Sequence, residues 1–184
     1  MSAGRRSGVH GSPVPPFLLT PVSHIGVSVP DIDAAVAWYR DTLGFTVLRG
    51  PFTVDESSLN APLARDIYGP RWQAMRQAHL SAGNNVGLEL FQFLTPATAE
   101  PSDWDYTRPG FFHLCVVSRD IVALIDRIVA AGGRQRTAVH HPSSRYALCY
   151  CADPWGNAIE INDHSYEYAH AEDPPRTPQS PTTP

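Results

Sequence analysis

The stretch SHIGVSVPDIDAAVAWYRDTLGF (23–45) decides the fold, because it recurs in the second half of the chain as FHLCVVSRDIVALIDRIVAAGGR (112–134). His24 aligns with His113. The next matches fall at the same offset, and they pair Val27, Asp31, Ile32 and Gly44 with Val116, Asp120, Ile121 and Gly133. Self-similarity at a fixed offset predicts an internal repeat of one structural unit.

Each copy contains the signals of a short strand followed by a helix. Asp31 and Asp120 stand where an N-cap is expected, because a short side-chain oxygen there accepts from a free amide of the first turn. Gly44 and either Gly132 or Gly133 stand where the chain leaves the helix, a position that favours glycine. Apolar residues at helical spacing predict one buried face for each helix, formed by Ile32, Val36, Tyr39 and Leu43 and by Ile121, Leu124, Ile125 and Ile128.

The two copies also end alike, in VGLELFQF (86–93) and NAIEINDH (157–164). Between helix and final strand each half has room for two more strands. We predict these near 45–53 and 75–82 in the first half, separated by an insert at 54–74, and near 134–140 and 145–152 in the second, before the turn DPWGN (153–157). The chain is therefore predicted to be an α+β protein built from two tandem βαβββ modules.

Side chains alternate across a strand, and the alternation places one His or Glu opposite an aliphatic face in each terminal strand. Glu89 lies opposite Leu88 and Leu90 and shares its face with Phe91 and Phe93. The same alternation sets Glu160 opposite Ile159 and Ile161, His24 opposite Ile25 and Val27, and His113 opposite Phe112 and Leu114. A carboxylate on an aromatic strand face indicates the wall of a pocket rather than plain solvent exposure.

The composition limits the classes of function. The net charge is -4 and no basic stretch extends beyond Arg5-Arg6, so nucleic-acid binding through phosphate neutralisation is not indicated. Apolar runs are too short for a membrane span. Three cysteines without framework spacing predict reduced thiols and a cytoplasmic protein. Residues 1–20 and the Pro/Thr-rich 169–184 are predicted to be flexible tails around a domain at 21–168, with modules at about 21–100 and 108–164.

Two histidines and two glutamates at matching places form a set with metal-ligand chemistry. Imidazole nitrogen and carboxylate oxygen suit one divalent ion such as Zn, Ni, Co, Fe or Mn. A single strand His or Glu is more often an ordinary hydrogen-bonded or solvated residue. The recurrence of both types in both halves favours metal binding by His24, Glu89, His113 and Glu160.

The stretches HIGVSVPDIDAAVAWYRDTLGF, GLELFQF, GFFHLCVVSRDI and CADPWGNAIEIND resemble the glyoxalase / vicinal oxygen chelate superfamily, over essentially 21–164. The resemblance implies paired βαβββ modules curled into a half-open barrel around a divalent metal. It places the four family ligands at His24, Glu89, His113 and Glu160. All four positions hold ligating residues, whereas metal-free antibiotic-sequestering members usually lack them.

The implied activity is that of a metal-dependent lyase or isomerase, with glyoxalase I-like (lactoylglutathione lyase-like) or epimerase-like chemistry through an enediolate or enolate. A glutamate at the metal is the natural base; Glu160 is preferred and Glu89 is the other candidate. His140, His141 and His79 are secondary acid–base candidates.

Several alternatives remain open from the sequence. One is an Fe(II)-dependent dioxygenase of the same superfamily, although a fourth protein ligand argues against it. Another is a non-catalytic small-molecule or antibiotic-binding resistance protein. The substrate is predicted to be a small molecule, whose pocket and anchor candidates are Phe91, Phe93, Trp72, Trp155, Tyr146, Arg145 and Arg76. The resemblance also implies a homodimer, while pairing of the modules within one chain stays open.

Overall fold

The computed structural model describes residues 20–100, 105–107 and 109–171. Within these ranges the strands are β1 (His24–Ser28), β2 (Thr46–Asp55), β3 (Ala74–Ser81), β4 (Gly87–Thr95), β5 (Leu114–Val117), β6 (Arg134–Gln135), β7 (His140–Ser143), β8 (Tyr146–Ala152) and β9 (Ala158–Asn162). The helices are α1 (Ile32–Leu43), α2 (Ala61–Tyr68), α3 (Ile121–Ala130) and α4 (Tyr166–His170). None of the helices in the described ranges is long and apolar enough to cross a membrane.

The strands form two sheets, one from each half of the chain. The first has the order β1-β4-β3-β2, and the second has the order β5-β9-β8-β6 with β7 also paired to β8. In both sheets the first and last strands of the module pair in parallel, and the remaining pairs are antiparallel. The predicted α+β fold of two tandem βαβββ modules is confirmed.

The predicted helix signals are also confirmed. Asp31 accepts a hydrogen bond from the amide of Ala34, and Asp120 accepts one from Ala123, at 3.1 and 2.9 Å. Gly44 follows α1 with φ 75°, a left-handed conformation that costs glycine little. Each N-cap fixes the residue at which the helix begins after the first strand of its module.

One core joins the two modules. Helix α1 packs on the first sheet and α3 on the second, and the two helices contact each other. The indole nitrogen of Trp38 donates to the carbonyl of Ala131 at 3.0 Å, and its ring meets Trp155 edge-on at 6.4 Å. The helical sides of the modules are therefore buried together within one chain.

The DPWGN turn joins the modules through Asp153, which is 1% exposed. Its carboxylate accepts from the Tyr39 hydroxyl at 2.9 Å, the amides of Trp155 and Asn157, and the Asn157 side chain. Burial raises the pKa of Asp153, while these donors act in the opposite direction. The turn predicted from the sequence thus also contributes a contact between the second module and α1.

Removal of the Tyr39 hydroxyl is expected to destabilise the fold. Tyr39→Phe leaves one oxygen of a buried carboxylate short of a donor, so the free energy of unfolding should fall by about 1.5–3 kcal/mol. Urea unfolding measures it. Tyr166→Phe removes the hydroxyl of a tyrosine that is 72% exposed and should change stability little. Equal stability of both variants and the wild type would contradict the assigned contact.

The structure corrects two details and adds one. The strand predicted near 134–140 is interrupted between β6 and β7, because the amides of Arg136 and Thr137 both donate to the carbonyl of Tyr150 and the chain bulges there. The insert at 54–74 contains α2. Phe112 is 42% exposed and does not lie on the predicted aliphatic face, because it precedes β5. Nearly all of the two predicted tails lies outside the described residues, although α4 continues to His170.

Candidate functional site

His24 and Glu89 lie side by side on the first sheet. Parallel pairing sets Glu89 opposite Gly26, so His24, two residues earlier on β1, points to the same face. The His24 Nε2 atom is 3.7 Å from Glu89 Oε2. His24 and Glu89 form the first half-site.

His113 and Glu160 repeat that arrangement in the second sheet. Parallel pairing sets Glu160 opposite Cys115, and His113 again stands two residues before that position. The His113 Nε2 atom is 3.0 Å from Glu160 Oε2. This pair is the second half-site, and its identical placement follows from the sequence repeat.

The aliphatic faces predicted opposite the glutamates lie in the core. Leu88 and Leu90 are 2% and 0% exposed, and Ile159 and Ile161 are 1% and 0% exposed. Because strand side chains alternate, burial of these residues under the helices forces Glu89 and Glu160 to the opposite faces of their sheets. The predicted alternation is confirmed for both final strands.

The two half-sites differ in the residue across the antiparallel strand pair. Tyr150 lies opposite Glu160, and its hydroxyl donates to Glu160 Oε2 at 2.8 Å. Burial, together with this hydrogen bond, raises the pKa of the Tyr150 phenol, so it stays a donor at neutral pH. His79 lies opposite Glu89 but makes no hydrogen bond to it, and none of the described residues hydrogen-bonds its buried Nε2 atom.

An aromatic wall extends from the first half-site. The rings of Phe91 and Phe93 stack with centroids 6.2 Å apart, and the ring of Tyr68 from α2 meets both edge-on. Burial and then the charge of Glu89 raise the pKa of Tyr68. Beside this wall a cavity of about 430 Å³ is lined by Ser28, Tyr68, Arg71, Trp72, Phe93, Pro96, Ala97, Thr98 and Ala99. Its size suits part of a small molecule.

Except for Trp72, which lines the cavity beside the aromatic wall, the other candidates of the sequence analysis lie apart from both half-sites. Arg76 pairs with Asp33 through both guanidinium NH2 groups, at 2.5 and 3.0 Å, so it is engaged at α1. His140 and His141 are exposed on β7. Trp155 packs against Trp38, and Trp72 is buried beneath the aromatic wall. Arg145 lies over the ring of Tyr168, and the ring of Tyr146 contacts the ring of His170; both contacts are at α4.

Sequence reasoning missed Tyr68 and Tyr150. A usable signal existed for Tyr150, because folding the chain about DPWGN pairs Ala152 with Ala158 and therefore Tyr150 with Glu160. Tyr68 gave no such signal, since it lies in an insert without a counterpart in the second module.

The donor types fit a divalent ion, but one chain does not assemble enough of them. A protein metal site generally needs three or more protein ligands, and each half-site offers two. Across residues 20–100, 105–107 and 109–171, no three His, Cys, Asp or Glu side chains come together as a metal-binding group. The ring nitrogen that faces the carboxylate is Nε2 in both histidines. Within one chain the four predicted ligands therefore form two separate pairs.

Comparisons with known proteins agree with this architecture. The family model described as Glyoxalase/Bleomycin resistance protein/Dioxygenase superfamily matches residues 22–161. A 2-epi-5-epi-valiolone epimerase from Actinomyces sp. is 26% identical over 149 residues, which span 76% of this chain and 77% of that protein.

Two solved structures are similar in fold. A glyoxalase family protein from Bacillus cereus has a TM-score of 0.67 at 20% identity, covering 81% of this chain and 97% of the other. A point mutant of the fosfomycin resistance protein FosX from Listeria monocytogenes, complexed with Mn(II) and 1S,2S-dihydroxypropylphosphonic acid, has a TM-score of 0.52 at 11% identity, covering 83% and 96%.

Proposed function

The chain belongs to the Glyoxalase/Bleomycin resistance protein/Dioxygenase superfamily, and from this membership we propose that it is a divalent-metal-dependent isomerase or lyase, with epimerase-like or glyoxalase I-like chemistry. The observation that carries the proposal is the matched pair of half-sites. A histidine nitrogen and a glutamate oxygen lie 3.7 Å apart in one and 3.0 Å apart in the other, at the same register of both sheets.

We propose that a second copy of the chain completes the site. The helical sides of the two modules already pack together within one chain, and the half-sites stay apart there. In a symmetric dimer, the first half-site of one subunit can face the second half-site of the other, which gives four ligands and two equivalent sites. His24, Glu89, His113 and Glu160 would then hold one ion per site.

The bound ion would supply a positive charge that stabilises a developing enolate or enediolate oxygen on the substrate. The chain's own residues would do the rest. The carboxylate of one glutamate would take the proton next to the substrate carbonyl, and return of a proton to the enolate or enediolate would complete the isomerisation. To reach the proton, that carboxylate would have to move away from the other ligands. The wall of Phe91, Phe93 and Tyr68 excludes water from this step.

The substrate class follows from the same chemistry. A molecule with two adjacent oxygens and an acidic C–H suits a site that binds oxygens and moves one proton. The name of the epimerase relative, at 26% identity, favours inversion at one carbon. We therefore propose 2-epi-5-epi-valiolone, 2-oxoaldehyde hemithioacetals and acyl-CoA epimers as the substrates to test.

Metal content and proton exchange test this function together. Elemental analysis of the purified protein should find about one divalent ion per chain. In D₂O, mass spectrometry should show deuterium entering one member of the substrate panel, and chelator treatment should abolish the exchange until metal is returned. A folded protein that binds no divalent ion would contradict the proposal. Oxygen consumption with a catechol would instead point to a dioxygenase, and ligand binding that survives chelation would point to a non-catalytic binding protein.

A further inference from the structure

The two half-sites restrain their glutamates unequally. The Glu160 side chain is 13% exposed and contacts both His113 and Tyr150 through Oε2. The Glu89 side chain is 24% exposed, has His24 at 3.7 Å, and accepts no hydrogen bond from any other described residue. Within one chain, Glu160 is therefore held by a hydrogen bond from Tyr150, whereas Glu89 has no such restraint among the described residues.

We propose that Tyr150 is a positioning residue that holds Glu160 as a permanent metal ligand and leaves Glu89 as the carboxylate that moves. This inference rests on the proposed metal-dependent function. Tyr150 sits on β8 directly across from Glu160, so the sheet itself sets the distance between hydroxyl and carboxylate. A partner that fixes a ligating carboxylate in advance lowers the cost of ordering it around the ion.

The surroundings of Tyr150 support a role at the site. Its ring meets the His113 ring edge-on at 5.5 Å, so one side chain contacts both members of the second half-site. At the matching place of the first half-site, the His79 ring packs against Phe52 at 5.7 Å and donates nothing to Glu89. The sequence repeat thus preserves the ligands but changes the residue that restrains one of them.

Cobalt titration of the full-length chain tests the proposal. Co²⁺ is added to chelator-stripped wild type, Tyr150→Phe and the control Tyr166→Phe, whose tyrosine is 72% exposed. Loss of the Tyr150 hydroxyl should raise the Kd for Co²⁺ by about 10-fold to 100-fold and alter the visible spectrum of the bound ion. The control should match the wild type. Tyr150→Leu, which also lacks the hydroxyl and adds no metal ligand, should show the same loss if Tyr150→Phe does not fold.

The possible results separate this inference from the function on which it rests. Wild type that binds Co²⁺ while both Tyr150 variants keep the wild-type Kd and spectrum would overturn the role of Tyr150 and leave the proposed function standing. Equal weakening in Tyr166→Phe would also overturn it, because the loss would not be specific to the hydroxyl that reaches Glu160. Wild type that does not bind Co²⁺ would overturn the proposed function and this inference with it.

Discussion

Glu89→Gln is expected to slow turnover by about 10³-fold while the metal stays bound. Removal of a general base typically costs about 10²-fold to 10⁴-fold in rate. The physical reason is that Glu89 accepts no hydrogen bond from the described part of the chain, whereas Glu160 is held by Tyr150 at 2.8 Å. The base has to leave the ion to reach a substrate proton, so we expect it to be the carboxylate that no other side chain holds by a hydrogen bond.

The measurement combines deuterium exchange with metal affinity for the same variants. Glutamine keeps an oxygen that can ligate, so Glu89→Gln should retain the ion within about tenfold of the wild-type affinity. Glu160→Ala is the control, because alanine leaves no oxygen that could ligate; this variant should lose metal and turnover together. Glu89→Gln that retains more than about a tenth of the wild-type rate would show that another group is the base.

This expectation reverses a preference drawn from the sequence. From residue types alone Glu160 and Glu89 are equivalent, since each stands on the final strand of a module among apolar neighbours. The difference between them is a hydroxyl ten residues from Glu160, which becomes relevant only when the strand register is known. On the ground of this difference we propose Glu89, rather than Glu160, as the base.

The fold itself was predictable because its signals are local and occur twice. Asp31 and Asp120 cap the helices as predicted, and the alternation around Glu89 and Glu160 gave the correct buried faces. Each signal depends on residues a few positions apart, and the repeat provides an independent check of every one.

The assembly of the site was less predictable, because it depends on how two modules face each other. Alternation placed each His and Glu on a sheet face, but it carries no information on whether two sheets meet within a chain. The burial of Trp38 between the modules, with a hydrogen bond to Ala131, reflects contacts between residues far apart in sequence. Helix α2 and Tyr68 belong to an insert that has no second copy for comparison.

A mixture of two inactive variants is expected to regain activity if the site is shared between subunits. His24→Ala removes a ligand from every first half-site, and His113→Ala removes one from every second half-site, so each variant alone should be inactive. In a dimer with one subunit of each kind, one site combines the two intact half-sites and the other combines the two damaged ones. Random exchange of subunits should then restore about a quarter of the wild-type activity.

The experiment requires that subunits exchange, which co-expression of the two differently tagged variants achieves. The control is co-expression of His24→Ala with Glu89→Gln, because both changes lie in the first half-site and no pairing of subunits restores an intact one. Recovery in the first mixture and none in the control would place the four ligands across a dimer. If the heterodimer is isolated by its two tags and neither mixture recovers activity, the two half-sites would have to meet within one chain. The separate pairs at His24 and His113 argue against that arrangement.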